Sequence, residues 1–180
     1  MGDVMPAGGP TQDEIMALSL FYLGLKPGDA VLDLGCGTGK ISIAASRVAQ
    51  EVCAVDLRPE AIQYATGAAN AAGRTNIRFF TGEAEEFLKT GKNFDCAFVG
   101  GSRQIETILP VLSRKVKRVI VVNAVLVSTL ATVTKTMQDL GIFQKAVHVQ
   151  VSRSRMLGKS MMFKPIDPVY IIVGSGAACS

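Results

Sequence analysis

Tryptophan is missing from this 180-residue chain, histidine occurs once (His148), and cysteine occurs four times with no Cys-x-x-Cys pair. Thiols scattered in this way (Cys36, Cys53, Cys96, Cys179) exclude a zinc site of ordinary spacing and a disulfide framework, and they suit a reducing compartment. No metal site is expected. Long apolar runs are also lacking: the most apolar stretch, Val119 to Val127, falls far short of the roughly 20 residues a membrane helix needs. With no charged-then-apolar leader at its start, the sequence reads as a soluble cytoplasmic protein. No repeat, low-complexity tract or linker divides it, and its length suits one domain over residues 1–180, preceded within those limits by an irregular arm over residues 1–10.

Acid is scarce too, but only in the second part. Residues 1–106 hold nine Lys/Arg against thirteen Asp/Glu, a net of −4, whereas residues 107–180 hold ten against two, a net of +8. Between Leu140 and Ile166 there is no acid at all, while Lys145, Arg153, Arg155, Lys159 and Lys164 are present. Such a split implies an anionic partner for the later part, a solvated basic surface being the plainer alternative.

Short apolar runs alternate with amphipathic ones along the chain. The expected strands are Ala30–Leu34, Glu51–Val55, Asn76–Phe80, Phe94–Val99 and Arg118–Asn123; the expected helices are Lys40–Ala49, Pro59–Ala72, Glu83–Lys89, Arg103–Ser113 and one from Ser128 to Gly141. Pro59 suits a first helical turn, and Pro110 is expected to kink or end its helix. Thr11-Gln12-Asp13-Glu14 has the pattern of a capping box before a helix with Ile15, Leu18 and Tyr22 on one face and Gly24 at its end. Two last strands, Phe143–Val151 and Pro168–Val173, are separated by a loop of about fifteen residues and pair as an antiparallel hairpin. The fold class is therefore α/β: a doubly wound, mostly parallel seven-stranded sheet ending in an antiparallel hairpin, as in class I Rossmann-like methyltransferases.

Asp33-Leu34-Gly35-Cys36-Gly37-Thr38-Gly39 follows a strand and opens a helix. Glycine admits positive φ and lets a ligand approach the backbone. A dinucleotide loop reads G-x-G-x-x-G; here the spacing is G-x-G-x-G with an acid two residues before it, which points to S-adenosylmethionine over NAD. Asp56, 21 residues after Gly35, stands where a carboxylate accepts both ribose hydroxyls, though an acid at a strand end also serves as a helix cap. Glu83 and Ala84 stand where an adenine is flanked, or Glu83 caps the helix after it. Thr11 is either the N-cap of the first helix or a contact to the cofactor. His148, alternating with valines in Val147–Val151, reads as a structural histidine.

Gly9-Pro10-Thr11-x-x-Glu14, the glycine loop, Val99-Gly100-Gly101-Ser102, Val119–Ala124, Ser152-Arg153-x-Arg155 and Met161-Met162 together resemble a known family. It is that of the cobalamin-biosynthetic precorrin methyltransferases that modify carbon-15 and decarboxylate an acetate arm (the CbiT family, similar to the C-terminal half of CobL). One departure is Gln12, where many relatives have lysine. The resemblance covers nearly the whole chain and implies that Thr11, Gly35, Cys36, Gly37, Thr38, Gly39, Asp56 and Ala84 line the cofactor site. It also implies an anionic tetrapyrrole, a cobalt-precorrin, as substrate, and a homo-oligomer with a tetramer as its expected form.

Gly101, Ser102 and Arg153 are the candidate residues on the substrate side, an arginine fork being suited to a carboxylate. The loop carrying Arg153 serves the substrate, a second subunit, or both. A nucleic-acid methyltransferase, favoured by the pI of about 9.0, is the alternative within enzymes; the lack of tryptophan and of an appended RNA-binding domain speaks against it. A non-catalytic S-adenosylmethionine-binding protein is the alternative outside them.

Overall fold

The computed structural model describes Gly9, residues 11–101 and residues 103–177. The remainder of the expected N-terminal arm, and with it Pro10, lies outside these residues, as do Ser102 and Cys179. Six helices, α1 (Asp13–Leu23), α2 (Lys40–Ala45), α3 (Pro59–Ala71), α4 (Ala84–Leu88), α5 (Ile105–Lys115) and α6 (Val127–Asp139), alternate with the strands of one sheet. Its strands are β1 (Ala30–Leu34), β2 (Glu51–Asp56), β3 (Ile77–Thr81), β4 (Phe94–Val99), β5 (Val116–Ala124), β6 (Phe143–Val149) and β9 (Val169–Ser175). A separate two-stranded ribbon, β7 (Ser152–Leu157) and β8 (Ser160–Pro165), stands off the sheet.

The sheet order is β3-β2-β1-β4-β5-β9-β6, with the first five strands parallel and β9 antiparallel to both β5 and β6. Strand order reverses between β1 and β4, and in such sheets ligands bind at the carboxyl ends of the strands beside that reversal. The central strands are apolar on both faces because helices cover both. Leu32 and Leu34 join a core closed by Leu109, Leu112, Val133 and Met137, while Val31 packs on the other side with Leu23, Ile41 and Ala45.

Several expectations needed correction. The predicted loop between the last two strands is the β7–β8 ribbon. Its residues are exposed on both faces, so no apolar alternation toward the core marked it as strand. Pro110 does not end α5, which runs five residues beyond it. The amide that proline lacks would have met the carbonyl of exposed Glu106, and burial of Ile108, Leu109 and Leu112 carries the helix through. Helix α2 stops at Ala45 because the Asn76 amide, reaching across from the start of β3, takes the carbonyls of Ser46 (2.9 Å) and Ala49 (3.0 Å).

No capping box forms at α1. Its N-cap is Gln12, without a side-chain cap bond, and the Glu14 carboxylate is engaged by Arg153 instead of turning back on the helix start. The fully buried positions of α1 are Ile15, Ser19 and Leu23 rather than Ile15, Leu18 and Tyr22. Ser19 is tolerated there because its hydroxyl donates to the Ile15 carbonyl (2.8 Å) and accepts from the Asn123 amide (2.9 Å).

Candidate functional site

The glycine loop rides on the end of β2. The amides of Gly35 and Cys36 both donate to the Val55 carbonyl, at 2.8 and 3.1 Å, and the Gly39 amide donates to the Cys36 carbonyl at 2.8 Å. Gly35, with φ +73°, lies directly against the loop after β4. A Cβ on Gly35 would sit 3.1 Å from the Gly101 nitrogen, and one on Gly100 would sit 2.9 Å from the Gly35 oxygen. The Gly100 amide meanwhile donates to the Leu34 carbonyl at 2.8 Å. Two main chains pass with nothing between them, which explains the glycines at positions 35 and 100.

This contact separates and joins two cavities. The first, about 380 Å³, is bounded by Thr11, Gln12 and Ile15 near the start of α1, by Gly35 to Thr38, by Phe98 and Gly100, and by Asn123 to Leu126 and Thr129. Asp167 and Arg58 are the charged residues on its wall among the described residues. The second, about 290 Å³, is bounded by Asp56, Leu57, Gly82, Glu83, Ala84, Gly101, Arg103 and Gln104. Gly35, Arg58 and Gly100 belong to both. Gln104 holds φ +53° at the start of α5, a conformation uncommon outside glycine, at the wall of the second cavity.

Of the residues expected from sequence, Thr11, Gly35, Cys36, Gly37 and Thr38 therefore lie on the first cavity, and Asp56, Glu83, Ala84 and Gly101 on the second. Thr11 reaches its wall rather than capping α1, with Lys40 binding its carbonyl at 2.6 Å and Asp13 at 2.7 Å. Glu83 is the N-cap residue of α4 but makes no side-chain cap bond. Gly39 borders neither cavity and packs instead against Ala65. Arg153 lines neither; its guanidinium grips Glu14 through two bonds of 2.9 and 2.5 Å, holding that carboxylate down at about 2. His148 is stacked on Tyr170, ring centroids 4.6 Å apart.

Asp56 is 5% exposed and heavily solicited. It accepts from the Gly37 amide (2.9 Å), from the Arg58 amide (3.0 Å) and from the Arg58 guanidinium at both oxygens (3.0 and 3.1 Å). Burial pushes its pKa up, but the bonds from Arg58 and Gly37 outweigh it and hold the carboxyl below the usual range. The arrangement delivers a permanent anion to the second cavity. Arg58 was not singled out from sequence, since an arginine two residues past an acid reads as an ordinary surface cation. Asn123, Thr129 and Asp167 were likewise missed as cavity residues; only the fold brings them together.

Asp33, the acid of the loop motif, is fully buried and bonded by the Ser42 hydroxyl, while its Oδ1 has no donor among the described residues. Burial, reinforced by the charge of Asp56, pushes it up to about 7 despite Ser42. A folded-state pKa raised from 3.8 means that the unfolded chain loses this proton first as pH rises. Asp33 therefore withdraws stability as pH climbs from 3.8 toward about 7, with a slope approaching about 1.4 kcal/mol per pH unit. Asp33→Asn is expected to flatten the fall of melting temperature over that interval; an unchanged profile would place the titration elsewhere.

The description "Precorrin methyltransferase domain" belongs to the protein family whose model matches residues 6–174 of the chain. A protein of Methanosarcina acetivorans, named "Probable cobalt-precorrin-6B C(15)-methyltransferase (decarboxylating)", is 46% identical over 180 residues, covering 97% of this chain and 98% of its own. Among solved structures, the precorrin 8W decarboxylase of Methanobacterium thermoautotrophicum superposes with a TM-score of 0.89 at 29% identity, covering 92% of this chain and 91% of that one. Precorrin-6y C5,15-methyltransferase from Geobacter metallireducens gives the same TM-score, 0.89, at 27% identity, covering 96% and 94%.

Proposed function

Because the chain belongs to the precorrin methyltransferase family, we propose that it methylates carbon-15 of cobalt-precorrin-6B with loss of the C-12 acetate carboxyl as CO2, a step of cobalamin biosynthesis. The observation that carries this reading is the 46% identity, over nearly all of both chains, to a relative named for that reaction. We assign S-adenosylmethionine as the methyl donor. The residues present fit it: the glycine backbone of Gly35 and Gly37 on the wall of the first cavity, and a buried carboxylate, Asp56, in the adjoining one. Asp56 would hold the ribose, Glu83 and Ala84 the adenine, and Thr11 with Gly35 to Thr38 the methionine end. When bound, S-adenosylmethionine supplies a methyl group on a positively charged sulfur.

The protein's own part is orientation and exclusion of water. The backbone of Gly35 and Gly100 sets the separation of the two cavities. A ring carbon made electron-rich by its macrocycle needs no strong base, and holding it in line gives most of the rate. Ile15, Phe98, Ala124, Val125 and Leu126 give the first cavity an apolar stretch of wall, against which loss of a carboxylate's charge would be favoured. Burial pushes the Cys36 thiol far up, so it stays protonated and inert beside the donor. The basic later part of the chain has its anionic partner in the substrate's carboxylates, with no need of nucleic acid. Purified protein given S-adenosylmethionine and cobalt-precorrin-6B is expected to yield a product heavier by one methyl and lighter by CO2. Neither change appearing would overturn the reading.

We further read the enzyme as a cytoplasmic homo-oligomer. Free buried Cys36, Cys53 and Cys96 support a reducing compartment. Met156, Met161 and Phe163, each 62–64% exposed on one face of the β7–β8 ribbon, support a subunit contact. Light scattering should return a multiple of 19.0 kDa, and Phe163→Asp should lower it; a single-chain mass for the unaltered protein would refute the assembly.

A further inference from the structure

Directly opposed residues of an antiparallel pair share a face, so the pairing of β7 with β8 sorts the ribbon into two. Arg153 lies opposite Lys164, and Arg155 opposite Met162; these four share one face. Ser154 with Phe163, and Met156 with Met161, make up the other. The first face is cationic and the second apolar.

The cationic face has a known direction. Its Arg153 reaches Glu14 in the first turn of α1, two to three residues from Thr11 and Gln12 on the wall of the first cavity. At the foot of the ribbon the Ile166 amide donates to the Val151 carbonyl at 3.0 Å, and Asp167, next in sequence, is itself on that wall. The face bearing Arg153 is thus turned to the rim of the cavity. Met162, beside Arg155 on this face, is 36% exposed; Leu157, on the same face next to the turn, is 61% exposed, and the three large apolar residues opposite are 62–64% exposed. Arg153 is neutralised by Glu14, but Arg155 and Lys164 make no ion pair among the described residues, and the segment has no acid to offer them.

We infer that Arg155 and Lys164 form a carboxylate-binding subsite at the cavity rim, which captures the acidic side chains of the tetrapyrrole acceptor while Arg153 serves as the tether that aims the ribbon. This deepens the function proposed above and rests on it. A flat macrocycle fringed with carboxylates matches two cations spaced along a ribbon, and Met162 between them supplies a soft apolar contact. Arg153, the candidate substrate contact in the sequence, becomes a positioning residue.

The test uses Arg155→Gln, Lys164→Gln and the double variant in the full chain. Each single change is expected to raise KM for cobalt-precorrin-6B about three- to tenfold, as for a solvent-exposed charged contact, and to make kcat/KM less sensitive to salt. Values of kcat and the affinity for S-adenosylmethionine should stay within about twofold, and light scattering should return the wild-type mass. Unchanged KM in the double variant overturns the inference, and so does a rise in KM accompanied by loss of the wild-type mass, which would assign both cations to a subunit contact. Equilibrium binding of cobalt-precorrin-6B, followed by its visible absorbance without the donor, keeps the two readings apart. Wild-type protein that binds but does not methylate defeats the proposed reaction alone, and the variants' Kd then decides the subsite; wild-type protein that does not bind defeats both.

Discussion

Asp56→Ala is expected to bind S-adenosylmethionine roughly 50-fold more weakly than the wild type, read by calorimetric titration. A carboxylate accepting two ribose hydroxyls makes two charge-assisted bonds of about 1.5–3 kcal/mol each. Part of that is offset, because the ribose must displace the Arg58 guanidinium from both oxygens of Asp56. Half of the mid-range gross value, about 2.2 kcal/mol, leaves roughly 1.6 decades of affinity. Asp56→Asn, which keeps one accepting oxygen, should lose about tenfold and so discriminate charge from shape. Both variants should fold, since the partners they abandon are the amides of Gly37 and Arg58 at a cavity wall and a guanidinium 37% exposed. Affinity within about threefold of wild type in the folded alanine variant would remove Asp56 from the ribose role.

Gly39→Ala carries the second large effect, this time on stability. Gly39 starts α2 with φ +74°, and a Cβ there would lie 2.8 Å from the Cβ and 3.3 Å from the Cα of fully buried Ala65 on α3. Left-handed backbone on a non-glycine residue costs about 1–2 kcal/mol, and overpacking against a rigid neighbour about 1–3 kcal/mol. For a chain of this size the sum corresponds to a fall in Tm of roughly 5–15 °C. The two parts are separable. Ala65→Gly alone costs about 1 kcal/mol of helix propensity, but combined with Gly39→Ala it relieves the clash and leaves the backbone strain. A double variant no more stable than the additive sum, or a single variant melting within about 2 °C of wild type, would contradict this account.

The central strands were legible because burial on both faces leaves a continuous apolar run; β1 and β4 begin and end where the sequence places them. The glycine loop and Asp56 were legible because backbone geometry restricts which residues stand there. What the sequence concealed depends on distant pairing. Arg58 and Asn123 carry no periodic signal, and their importance arises only when β2, β1, β4 and β5 line up in one sheet. Glu14 imitates half of a capping box, yet an arginine 139 positions later outcompetes the helix start for its carboxylate. The β7–β8 ribbon was unreadable as strand for want of a buried face to set a two-residue rhythm.

The contact of Gly35 with Gly100 has a mechanical meaning. A wall made of two main chains has no rotamers, so the spacing of the two cavities is not an adjustable quantity in this protein. Side chains around either cavity are free to change by mutation, altering what is held there, while the distance from one cavity to the other stays the same.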